Sequence, residues 1–76
     1  MNIIGMRQEQ RAKIVSDITV SIEKAIYRQE KINYKELVLA TMASRNLSRR
    51  TSVEYIQMAL FNLKLTKEQL ESGEFA

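Results

Sequence analysis

The chain has 76 residues, with 12 Lys and Arg against 9 Asp and Glu, a formal charge of +3, no Cys, no His and no Pro. That length predicts one small domain spanning residues 1–76, with a modest core and a thin margin of stability. The missing Cys and His exclude disulfides, thiolate metal sites and histidine-based acid–base catalysis.

Residues 1–6 read as a short, partly apolar flexible arm. Arg7 to Glu30 reads as a long first helix, because Ile14, Ile18, Ile22, Ala25 and Ile26 recur at helical spacing. Ile18, Val20 and Ile22 also alternate as a strand would, but the flanking helix formers favour helix. At about 24 residues and about 36 Å this helix is long for the domain. Either it breaks, or part of its apolar stripe packs on something beyond its own chain.

Asn33 is placed to cap a second helix from Tyr34 to about Arg45, with Glu36 at the position that returns the bond and Ile32 and Leu37 as a hydrophobic staple. Leu37, Val38, Ala40, Thr41 and Ala43 or Ser44 are its packing candidates. Asn46 follows where a left-handed residue ends a helix, and Asn tolerates that conformation. Leu47 is expected to plug the turn from inside. Ser48 caps a third helix running to about Leu63, with Tyr55, Ile56, Ala59, Leu60 and Leu63 as its core stripe and Ser52 on the same face. Thr66 and Gln69 form a capping box for a short fourth helix, stapled by Leu65 and Leu70. Gly73 ends that helix and opens a tail over residues 73–76. The expected class is therefore all-α: three main helices, the first long, and a short C-terminal fourth.

Charge is unevenly distributed. Up to Lys64 there are eleven basic and six acidic residues, whereas from Leu65 onward Lys67 faces Glu68, Glu71 and Glu74. No acid lies between Glu36 and Glu54, a window that holds Arg45, Arg49 and Arg50. Arg49 and Arg50 fall in the first turn of a helix, where the positive end of the dipole disfavours cations. A bound polyanion supplies a reason for them, and solvated surface charge is the plain alternative.

Two helices joined at Asn46–Leu47, the second opening on Ser-Arg-Arg-Thr, make a helix-turn-helix pattern over residues 33–63. Such a unit needs a tight turn, a small residue at the crossing (Ser52) and a polar, basic tip for the major groove. Leu47-Ser48-Arg49-Arg50-Thr51, followed by Glu54-Tyr55-Ile56, resembles the start of the recognition helix in small prokaryotic helix-turn-helix regulators. The likeness is greatest to short DNA-binding proteins of archaeal viruses and plasmids, and covers about Lys31 to Leu63. Three departures stand out. Asn46 replaces the usual Gly, Ser52 replaces Ala or Val, and no β-hairpin wing is evident after Leu63. The resemblance implies sequence-specific binding of double-stranded DNA and regulation of transcription, in a host cytoplasm if the source is viral.

On this reading Arg49 and Arg50 contact guanine edges or phosphates. Ser48 is a helix cap near a phosphate. Thr51, Glu54 and Gln57 lie on the outer face, Gln57 suited to adenine and Glu54 to cytosine. Val53 is either a core flank or a thymine-methyl contact. Arg45, Tyr34 and Lys35 are further DNA-contact candidates, and Tyr55 is assigned to the core. Met58, Phe61 and Leu65 form a second apolar strip on the third helix. Either Leu70 and Phe75 cover it, or it is a dimer interface of the kind that lets two helices read half-sites one DNA turn apart.

No catalytic set, metal site, cofactor or small-molecule ligand is expected. No apolar run spans a membrane and no signal-peptide pattern opens the chain, so a cytoplasmic location is expected. The second functional reading is a helical protein-interaction module, an adaptor or inhibitor of a host complex. RNA binding is a weaker third, for want of a stacking platform.

Overall fold

The computed structural model describes residues 3–74, with side chains from residue 10 onward. Four helices follow in order, α1 (Ile3–Tyr27), α2 (Tyr34–Arg45), α3 (Arg49–Leu63) and α4 (Lys67–Ser72), and no strand occurs among the described residues.

The β-branched stretch of α1 is helical throughout. Two of its hydroxyls find partners one turn back: Thr19 Oγ1 donates to the Val15 carbonyl at 2.8 Å and Ser21 Oγ to the Asp17 carbonyl at 3.0 Å. These bonds satisfy groups that would otherwise compete with the helix ladder. The helix is shifted from its expected bounds. It starts at Ile3, so residues 3–6 extend the helix instead of forming an arm, while Met1 and Asn2 lie outside the described residues. It stops at Tyr27, because Gln29 turns left-handed at φ 57°.

Three helix ends share that device without a glycine. Gln29, Asn46 and Lys64 all have positive φ. In each case the next residue's N–H reaches back to a carbonyl five positions earlier: Glu30 to Ala25 at 2.9 Å, Leu47 to Met42 at 3.1 Å and Leu65 to Leu60 at 2.9 Å. These are Schellman closures, which satisfy end carbonyls. Asn tolerates the left-handed region, but Gln and Lys carry a steric cost there of about 1–2 kcal/mol. Gln29→Gly is therefore expected to raise stability by about 0.5–1 kcal/mol, after allowing for glycine's larger unfolded-state entropy. Lys64→Gly should gain less, since the Lys64 ammonium sits favourably at the negative end of α3. Urea denaturation of the two variants checks both the sign and the order.

The helix starts are equally local. Asn33 Oδ1 accepts from the Glu36 N–H at 3.0 Å, and Ser48 Oγ accepts from the Thr51 N–H at 3.2 Å. At α4 the capping box is complete, with Thr66 and Gln69 exchanging bonds of 2.8 and 3.1 Å. Gly73, at φ 78°, ends α4 beside the stem of Lys31.

The core joins Val15, Ile18 and Ile22 of α1, Val38 of α2, Ile56, Ala59 and Leu60 of α3, and Leu70 of α4. Both α1 and α2 pack on α3, and α4 packs on α2. The loop before α2 is tied to α4 by the Ile32 N–H, which donates to the Leu70 carbonyl at 2.9 Å. Among the described side chains the first of α1 to meet the core is Ile14, eleven residues into the helix. This overhang stretches the molecule to 44 × 20 × 17 Å.

Some side chains lie elsewhere than their spacing predicts. Val15 is buried whereas Ala25 is only half-buried. On α2 the inner face is Val38 and Thr41 with Leu37 and Met42 beside them, while Ala40, Ala43 and Ser44 face solvent. Leu47 is half-buried and does not pack on the main core, so the turn has no deep plug. Ser52 is fully buried at the expected crossing position, and its hydroxyl has no hydrogen-bond partner. An unmet buried hydroxyl costs about 1–3 kcal/mol. Ser52→Ala is expected to stabilise the fold by about 1–2 kcal/mol, helped by alanine's helix propensity. Thermal unfolding measures it, and a loss of stability would show that the hydroxyl is satisfied.

Candidate nucleic-acid interface

The three residues between α2 and α3 shape the basic tip. Asn46, at φ 54° and ψ 48°, reverses the chain, and Ser48, at φ −68° and ψ 160°, starts α3 in extended backbone. Ser48 Oγ also donates to Thr51 Oγ1 at 3.0 Å, so both hydroxyls are committed to the cap. Ser48 is thus a positioning group, and Thr51 is half-buried behind it. Arg49 and Arg50 stand exposed in the first turn of α3, which holds no acidic residue.

Their charge is unanswered by any ion pair among the described residues. Among the described residues the single ion pair is Arg45 with Asp17. A cation in a first turn costs about 0.3–1 kcal/mol when exposed. Two neighbours without a counter-ion make a tip that an external anion would stabilise.

A groove runs beside this tip, lined by Tyr34 and Lys35 of α2, Arg49 and Val53 of α3, and Lys67 and Glu71 of α4. Three cations from three helices thus converge, with one carboxylate among them. Lys67 Nζ lies 4.7 Å from the centre of the Tyr34 ring, a cation–π contact. Val53 packs on the core as well as lining the groove, so it is a core flank. Tyr34 too is half-buried against the core. Lys67 is the residue that sequence reasoning missed. Its signal was available, because like Arg49 it is a cation in the first turn of a helix.

Arg45 does not join the groove. Its ion pair with Asp17 ties the end of α2 to α1, beside Ile18, Thr41 and Ser44. The contact spans 28 residues of sequence, which local reasoning cannot see. Both partners are more than a third exposed, so the pair contributes little to stability.

The outer face of α3 continues through Glu54 and Gln57, both exposed, to Met58, Phe61 and Asn62. Arg11 of α1, also missed, borders this face. Its guanidinium donates to Met58 Sδ at 3.3 Å and lies 5.8 Å from the Tyr55 ring centre. Phe61 is 83% exposed and Met58 37%. The expected strip is otherwise corrected. Leu65 packs against the core, and Leu70 is fully buried within it, so neither lies over Phe61. The reason is the Schellman turn at Lys64, which folds the chain back under α2. Phe75 lies outside the described residues.

Among the described residues no group of carboxylates could hold a metal ion, and no helix is long and apolar enough to cross a membrane. The chain matches no protein-family model, no curated protein and no solved structure.

Proposed function

We propose that this all-α protein binds double-stranded DNA in a sequence-specific manner through a helix-turn-helix unit formed by α2, residues 46–48 and α3. The observation that carries this is the exposed Arg49–Arg50 tip at the start of α3, which has no ion-pair partner among the described residues. A helix that enters the major groove by its N-terminal end needs polar, basic first turns there. Arginine is suited to the task, since its planar fork matches guanine edges and phosphates. Lys35, Lys67 and the Tyr34 hydroxyl would take backbone phosphates along the groove, which positions the protein without reading sequence. Glu54 and Gln57 extend the reading face by two turns.

The role that follows is regulation of transcription in a cytoplasm, viral or plasmid-borne if the resemblance of the Ser-Arg-Arg-Thr segment holds. The second reading, a protein-interaction module, draws on the exposure of Phe61 and of Tyr27, which is 90% exposed. Selection from a random duplex pool separates the two. Enrichment of a defined motif at low salt supports DNA reading. An unenriched pool overturns it and leaves the interaction module.

A further inference from the structure

We infer that Tyr34 is a positioning residue, whose ring keeps the Lys67 ammonium off the neighbouring Glu71 carboxylate and so leaves it charged and open to an anion in the groove. That the anion is a backbone phosphate rests on the DNA-binding reading. The starting point is a carboxylate in the wrong company. Glu71 lines the groove together with Lys35, Arg49 and Lys67. Within such a groove a carboxylate repels a phosphate and competes with it for the same cations.

Lys67 is the cation most open to that competition. It stands four residues before Glu71 on α4, the spacing at which helical side chains are neighbours. Both line one groove, yet among the described residues the single ion pair is Arg45 with Asp17. The Lys67 ammonium lies instead 4.7 Å from the centre of the Tyr34 ring. Two effects favour the ring. At this spacing, lysine before glutamate is the weaker of the two orders. The ring is also fixed in advance, since Tyr34 is half-buried against the core at the first position of α2, whereas Glu71 is exposed and must be ordered to make a pair. The backbone builds the contact: the Ile32 N–H donates to the Leu70 carbonyl, which ties the start of α2 to α4.

The choice of partner has a consequence for charge. A carboxylate would cancel the ammonium. A ring holds it through its quadrupole and leaves its charge in place. Lys67 therefore faces the groove as a held but unneutralised cation beside Lys35 and Arg49. Without the ring it would fall to Glu71, and the groove would lose one cation.

Duplex binding by the full chain, measured against salt, tests this. Tyr34→Leu should flatten the slope of log K against log salt by about one, as Lys67→Ala does, and weaken binding about five- to tenfold at about 100 mM salt. Tyr34→Phe keeps the ring, so its slope should equal that of the wild type, with affinity reduced by no more than about fivefold for the lost hydroxyl. Adding Glu71→Gln to Tyr34→Leu should restore the slope, because the competitor is gone. In the wild-type background Glu71→Gln should leave the slope within about 0.3, so the two substitutions are coupled. A slope in Tyr34→Leu that equals the wild type overturns the inference. So does a lost slope that Glu71→Gln does not restore, which would make Tyr34 merely structural. A second arm needs no DNA. Proton NMR should show the Lys67 ε-methylene shifted upfield by the ring in the wild type, and a Lys67–Glu71 side-chain NOE only in Tyr34→Leu. That NOE in the wild type, or no upfield shift there, overturns the positioning role. If no duplex is bound at all, the DNA reading fails, and the NMR result still decides the role of Tyr34.

Discussion

Replacing both Arg49 and Arg50 by alanine is expected to remove tight binding to duplex DNA and to leave the fold as firm as before, or firmer. Each arginine that reads a base edge carries about 1–3 kcal/mol, so the pair together should account for at least about thirtyfold in affinity. Both side chains are exposed and, among the described residues, neither has an ion-pair partner, so truncation removes no ion pair seen in the fold. Removing cations from the positive end of α3 should instead return about 0.3–1 kcal/mol for each. Opposite signs for binding and stability identify a functional residue, because a residue kept for structure loses both together. Anisotropy titration with a selected duplex, beside urea denaturation of the same protein, measures the two. Equal affinity in the double variant would remove α3 from the recognition role.

Leu70→Ala is expected to unfold most of the population. Leu70 sits on the six-residue α4, too short to persist alone, yet its side chain is fully buried among residues of the main core. Its carbonyl also holds the Ile32 N–H, which fixes the approach to α2. Truncating a buried leucine costs about 2–5 kcal/mol, and a core this size seldom supplies more than about 3–5 kcal/mol. The groove would go with it, since Lys67 and Glu71 ride on α4. Loss of helical circular dichroism at 25 °C, or a large fall in the denaturation midpoint, is the expected signal. A change below about 1 kcal/mol would show α4 to be an appendage.

The features that could be read from sequence are those whose causes lie within a few residues. Asn33, Ser48 and Thr66 cap their helices because a short side-chain oxygen reaches the N–H three positions on. Asn46 and Gly73 stop theirs because they tolerate positive φ. The buried stripe of α3 follows from a clean helical period. What escaped depends on neighbours distant in sequence. Gln29 turns the chain out of α1 short of the expected Glu30, and no local signal marks it, whereas α3 ends at the expected Leu63. Leu70 belongs to the core and not to the Phe61 strip because the Lys64 turn sends α4 under α2. Arg45 lies in the acid-free window, and its ion pair with Asp17 of α1 is invisible there because the two are 28 residues apart. Lys67 and Arg11 come to the candidate interface only through tertiary packing, from the last helix and the first.

The central claim is that a cationic tip and groove engage a polyanion, and the salt dependence of duplex binding tests it most directly. Affinity for a selected duplex is measured by anisotropy between about 50 and 200 mM salt. Four phosphate-directed cations, Arg49, Arg50, Lys35 and Lys67, predict that log K falls against log salt with a slope of about −3 to −4 per chain. The slope should shrink by about one for Lys67→Ala, the groove residue found only in the structure. A slope near zero, or no binding at about 50 mM salt, would contradict the assignment.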